Sequence, residues 1–174
     1  MIPMKSAGGI LTIALGLAVA TPALAAAAKL LGTNGAWEAY AYTEKGGKVC
    51  YIASAPKSSE NSAKDRGGPY VSVTHRPGEK SVDVVGVFAG YAYQKGSEVE
   101  VEIDGGTKFK LFTSGDGAWM ADAKGDKALA EAMAKGNQMV VRGTPAKGKK
   151  TVDTYSLSGF TASRNAINKA CGIK

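Results

Sequence analysis

Cys50 and Cys171 are the only two cysteines in the 174-residue chain, and His75 is its only histidine. Those three residues bound the chemistry. A hydrolase needs a nucleophile, a base and an oxyanion site, and His75 is the sole imidazole base. Ser72 lies three residues upstream, but in a strand the two side chains point to opposite faces. Asp83 could orient His75 across a hairpin, yet no G-x-S-x-G marks an activated serine. The Pro77-Gly78 that follows makes His75 expected as a turn residue. A zinc site fails on ligand count, because two thiols and one imidazole leave the tetrahedron short. Gly115-Asp116-Gly117 lacks the downstream Lys-Ser/Thr of a phosphate loop and is read as a turn. No catalytic residue, metal site or cofactor is expected.

Other groupings suit binding better than turnover. Glu98, Glu100 and Glu102 share one strand face and could resemble a cation site. Tyr40, Tyr42, Tyr91 and Tyr93 stand at two-residue spacing, which suits ring stacking or packing within a small β domain. Lys147, Lys149 and Lys150 form the one dense basic cluster, with Gly148 marking a turn tip. They are the candidate contact surface, together with the polar run from Pro56 to Pro69.

The chain's opening sets the compartment. Lys5 gives a positive start, Ile10 to Ala20 an apolar run of eleven residues, and Ala23-Leu24-Ala25 a small-x-small cleavage site. That run is shorter than the roughly 20 residues a membrane span needs. Residues 1–25 are therefore expected to be a signal peptide, cleaved between 25 and 28. Residues 29–174 would be a single β-rich domain, periplasmic or secreted, with no membrane-spanning helix. In an oxidising compartment an even cysteine count suggests pairing. A Cys50–Cys171 bridge would close a loop of about 120 residues, with roughly 4–5 kcal/mol of stabilisation in the chain-entropy model.

Charge narrows the partners. The formal balance is +7, and loss of Lys5 with the leader lowers it to about +6. A basic surface favours anionic partners such as an envelope or host-surface component. The bases are scattered among acids without a block of five, and nucleic acid is not expected.

Two-residue alternation dominates the elements that must hold these groups. Trp37 to Thr43 and Val49 to Ala53 read as a hairpin, and Tyr70 to Thr74 as a strand. Asp83 to Tyr93 is a continuous apolar strand broken by Gly86 and Gly90. Pro56 to Pro69 reads as a surface loop.

Glu98 to Phe112 allows a register to be read. With a three-residue loop, Asp104 to Gly106, Glu102 faces Lys108, Glu100 faces Lys110, Val101 faces Phe109 and Val99 faces Leu111. Only that register leaves one apolar face and one charge-paired face. Gln138 to Thr144 and Thr151 to Leu157 are two further strands. Helical spacing predicts Asp126 to Lys135, closed by Gly136, and Ser158 to Ala170. The expected fold is mainly β: one antiparallel sandwich or partly open barrel with two short helices, one of them C-terminal.

Several of these segments together resemble the invasion-associated locus B family of exported bacterial proteins. They are Gly35-Ala36-Trp37-Glu38, Lys48-Val49-Cys50-Tyr51-Ile52, the Val99 to Phe112 hairpin, the helix ending near Lys135, and Ser156-Leu157-Ser158-Gly159-Phe160. Many members place a cysteine where this chain has Ala41. The resemblance implies a periplasmic or surface-associated non-enzyme, linked in pathogens to entry into host cells, and it supplies no catalytic residues. The leading expectation is an exported binding or interaction protein of the cell envelope. The alternatives are a periplasmic hydrolase using His75 and a structural envelope or stress protein.

Overall fold

The hairpin with the readable register folds in that register. In the computed structural model Glu102 pairs with Lys108, Glu100 with Lys110, Val101 with Phe109 and Val99 with Leu111. Asp104 and Gly105 both carry positive φ, as a three-residue loop requires. The structure describes residues 27–45, 47–62 and 66–174. The leader expected at 1–25 lies outside them.

Eleven strands form one antiparallel sheet. They are β1 (Lys29–Asn34), β2 (Trp37–Glu44), β3 (Gly47–Ser54), β4 (Ser58–Glu60), β5 (Tyr70–Arg76), β6 (Ser81–Phe88), β7 (Glu98–Ile103), β8 (Thr107–Ser114), β9 (Gly117–Trp119), β10 (Gln138–Gly143) and β11 (Thr151–Ser156). Their order across the sheet is β1-β2-β3-β5-β6-β9-β8-β7-β10-β11-β4. The sheet curls until its ends approach: Trp37 Nε1 donates to Ser156 O at 2.9 Å and Ala36 N to Ser158 O at 3.2 Å. Among the described residues no ladder joins β1 to β4. A curled, unclosed sheet is the partly open barrel of the two expected architectures.

Both helices lie against the sheet. α1 (Ala123–Lys135) is capped by Asp122, whose carboxylate accepts from Gly125 N at 2.7 Å. It packs Leu129, Ala130 and Met133 into the core. Gly136 ends it in extended conformation and not in the left-handed one common at helix ends. Glycine is needed there for closeness, because a Cβ would meet Ile103 Cγ2 at 2.5 Å. α2 (Phe160–Cys171) starts two residues later than its spacing predicts. Its buried face of Phe160, Ser163 and Ile167 sits against β1, β2, β3 and β5. Phe160 meets Trp37 edge to face, with ring centroids 5.0 Å apart. Each such large buried side chain contributes roughly 1.5–3 kcal/mol.

Two expectations give way, and one strand goes unannounced. The run from Pro56 to Pro69 is not loop throughout, since Ser58–Glu60 pairs with β11 as the sheet's last strand. β1 had no alternation to announce it and is placed by pairing with β2 across a register shift between Leu30 and Gly32. His75 is not in a turn: β5 continues through Arg76, and a single 3-10 turn begins at Pro77.

Candidate functional site

The polar run and the lysine tip, far apart in sequence, meet at one cleft. Three stretches of chain build it. The first is the segment after β4, where Asn61 Nδ2 donates to Lys150 O at 3.1 Å. The second is Gly90–Gln94 after β6, stitched to the β10–β11 connection by Gln94 N to Thr144 O and Ala146 N to Ala92 O, both 2.9 Å. The third is that connection itself, where Lys147, Lys149 and Lys150 stand exposed around Gly148 at φ +105°. The space between them is about 670 Å³. Its lining includes Asn61, Arg66, Tyr91, Lys147, Lys149 and Thr151. No carboxylate among the described residues lies within 4.0 Å of the three lysines.

Arg66 sets the floor of the cleft. It grips Asp153 on β11 with two bonds, 2.8 and 2.6 Å, and donates Nε to Ala89 O at 2.5 Å. Its guanidinium lies 4.9 Å over the Tyr91 ring. Burial alone would lower the Arg66 pKa, but the hydrogen bonds and charge of Asp153 outweigh it and raise it. Arg66 is therefore a neutralised strut. Tyr91 is fixed by a 2.6 Å bond between its hydroxyl and Thr151 Oγ1. Burial raises the pKa of both Tyr91 and Tyr93, so both stay protonated donors near neutral pH. The charge left for a ligand is that of the lysines. No local pattern singles out Arg66 within the polar run, because its partner lies 87 residues away.

The other groupings sort differently. His75 is fully buried between β5, β6 and α2, with Nε2 2.7 Å from Asn168 Oδ1 and Nδ1 accepting from Asp83 N at 3.0 Å. Burial lowers its pKa, aided by the nearby Arg164 charge, against the opposing pull of Asn168 and Asp83. Ser72 faces the other side of the sheet, as strand alternation requires. Asp83 is occupied by Arg164, at 2.8 and 2.5 Å. The imidazole has no opening to a substrate and no spare nitrogen.

The three glutamates are neutralised. Lys108 bridges Glu100 and Glu102, each at 3.3 Å, Lys110 meets Glu98 at 3.0 Å, and Arg142 of β10 adds bonds to Glu100 and Glu102. No group of three His, Cys, Asp or Glu among the described residues could hold a metal ion. The four tyrosines split, with Tyr40 and Tyr42 packing on Tyr51 outside the sheet and Tyr91 and Tyr93 packing on each other at the cleft. Cys50 and Cys171 are joined, with Cα atoms 6.1 Å apart, so α2 is tied to β3. No described helix is long and apolar enough to cross a membrane.

Comparison with known proteins places this arrangement. No curated protein matches the sequence. The crystal structure of invasion associated protein B from Bartonella henselae is similar in fold, with a TM-score of 0.57 at 18% sequence identity over 80% of this chain and 95% of that one. The family profile described as Invasion associated locus B (IalB) protein matches residues 37–168, from the Trp37 strand to the last turns of α2. The chain belongs to the invasion associated locus B family.

Proposed function

We propose that this chain is exported to the periplasm or cell surface and works there as a non-enzymatic binding module, its cleft taking an anionic envelope or host-surface component. One observation carries the reading. The sheet's curl brings the segment after β4 and the lysine tip onto one concave site, with exposed cations at the rim and fixed hydrogen-bonding groups below. Concave sites with a few convergent polar groups are where ligands bind, and exposed rim lysines attract anions at long range. The commitment of both His75 nitrogens supports the non-enzymatic side. The paired cysteines fit an oxidising compartment, and family membership supports export.

The test is charge reversal at the tip. Retention on phosphatidylglycerol vesicles and on an acidic polysaccharide column should fall at least about tenfold in the Lys147→Glu/Lys149→Glu/Lys150→Glu protein, and should weaken with salt. Reversal of Lys124, Lys127 and Lys135 on α1 is the control for net charge. Retention equal to that of the parent on both supports would remove the cleft from consideration.

A further inference from the structure

A row of aromatic rings crosses the outer face of the sheet beside this cleft. Tyr70 of β5 stacks on Phe88 of β6 at 4.5 Å and 17°. Phe88 meets Trp119 of β9 edge to face at 5.9 Å, and Trp119 meets Phe112 of β8 at 6.1 Å. The ends of the row are open to solvent, Tyr70 at 41% and Phe112 at 51%. The rest of the outer face toward β7 and β10 is the charge-paired network of Glu98, Glu100, Glu102, Lys108, Lys110 and Arg142.

Two glycines hold the middle of the row down. Gly86 pairs with Trp119 and Gly117 with Phe88 across the β6–β9 ladder. Each ring folds back over the glycine of its own strand. A Cβ at Gly86 would meet Phe88 Cε2 at 2.8 Å, and one at Gly117 would collide with the Trp119 ring. Phe88 and Trp119 are therefore held against their own strands before any ligand arrives, which cuts the ordering cost of binding.

The row and the cleft are linked through the chain. Arg66 and Gly90 line the cleft, and Gly67 N donates to Gly90 O at 2.9 Å. Tyr70 follows Arg66 along one strand of that junction, and Phe88 precedes Gly90 along the other.

We infer that the ligand is an acidic polysaccharide, its acid groups held at Lys147 and Lys149 and its neighbouring sugar rings packed by their C–H faces against the solvent-open surface of Tyr70, Trp119 and Phe112, with Phe88 wedged between Tyr70 and Trp119 as support. This rests on the cleft reading above and extends it to a ligand class. Preformed aromatic surface next to a cationic pocket matches a chain of sugar rings bearing spaced carboxylates.

The experiment titrates the purified protein with an alginate oligosaccharide, with a neutral β-glucan oligosaccharide of equal length, and with phosphatidylglycerol vesicles. Affinity and tryptophan emission are read together; Trp37 is fully buried and Trp119 is the reporter. Alginate should change the emission and bind more tightly than the glucan. Phe112→Ser and Tyr70→Ser, at the exposed ends where folding is least at risk, should each weaken alginate at least about fivefold. Lys147→Glu/Lys149→Glu should weaken it further, with melting temperatures held near the parent's. Alginate affinity unchanged in Phe112→Ser and Tyr70→Ser but lost on lysine reversal would overturn the aromatic row and leave the cleft. Equal binding of the glucan, no alginate binding, or an emission change with vesicles alone would overturn the ligand class.

Discussion

His75 Nε2 donates to Asn168 Oδ1 across 2.7 Å, and that bond settles the protonation of the buried imidazole. The other nitrogen already accepts from Asp83 N–H at 3.0 Å. A neutral imidazole offers one donor and one acceptor. Turning the Asn168 amide round would ask both nitrogens to accept, which no neutral tautomer can do. A cationic ring would set N–H against N–H at Asp83. The pocket therefore fits only neutral His75 with its proton on Nε2, and it ties β5, β6 and α2 together.

Stability should fall as pH drops below about 6.5, the ordinary histidine value. The folded His75 pKa is lowered, so the unfolded chain binds the extra proton first and the folded state is penalised as pH falls. One proton gives a slope of at most about 1.4 kcal/mol per pH unit. Burial raises the Asp126 pKa, which acts with the opposite sign in a lower window, above 3.8. Urea midpoints at pH 7.5 and 5.5 should differ in the parent and converge in His75→Gln, which keeps an Nε2–H donor. A parent midpoint that is flat between those pH values would contradict the neutral assignment.

The Cys50–Cys171 bond fastens α2 to β3 across 121 residues of chain. Replacing both cysteines by serine should cost about 2–4 kcal/mol in urea unfolding. The unfolded, unreduced protein should take up no alkylating agent; two alkylated sulfurs without reductant would break the assignment.

Local pattern carried as far as local forces decide. The β7–β8 register was readable because only one pairing matches Val99 with Leu111 and Glu100 with Lys110, and each pair is an adjacent contact. β4 was hidden because Ser58–Glu60 is fully exposed and has no apolar face to alternate. His75 looked like a turn residue because Pro77 and Gly78 follow it, whereas its place is fixed by Asn168, 93 residues on. Two of the three stretches that build the cleft are candidate contacts on composition alone. Their meeting depends on the curl of the sheet, which no window of sequence contains.

Gly159→Ala should destabilise by at least about 2 kcal/mol. Gly159 joins β11 to α2 at φ +89°, and a Cβ there would run into the Asn34 carbonyl oxygen. That oxygen is main chain at the end of β1, where Asn34 pairs with Trp37, and cannot swing aside. Gly78→Ala, with open space around it and no positive φ, should stay within about 0.5 kcal/mol of the parent. Equal midpoints for the two variants would show that the junction yields.

The Arg66–Asp153 pair is the sharpest test of what holds the cleft's shape. Its side chains are 3% and 5% exposed, so removing one charge strands the other. Asp153→Ala should cost about 3–5 kcal/mol, with Arg66 left buried and unpaired. Arg66→Met/Asp153→Leu removes both charges and should recover most of that loss, because the dehydration cost of the pair disappears with the pair. The double variant should keep the lysine rim and lose the bond from Arg66 Nε to Ala89 O that fixes the floor. Its anion binding should therefore weaken while its urea midpoint stays close to the parent's. A double variant as unstable as Asp153→Ala would mean that Arg66 acts through packing on Tyr91 and not through the ion pair.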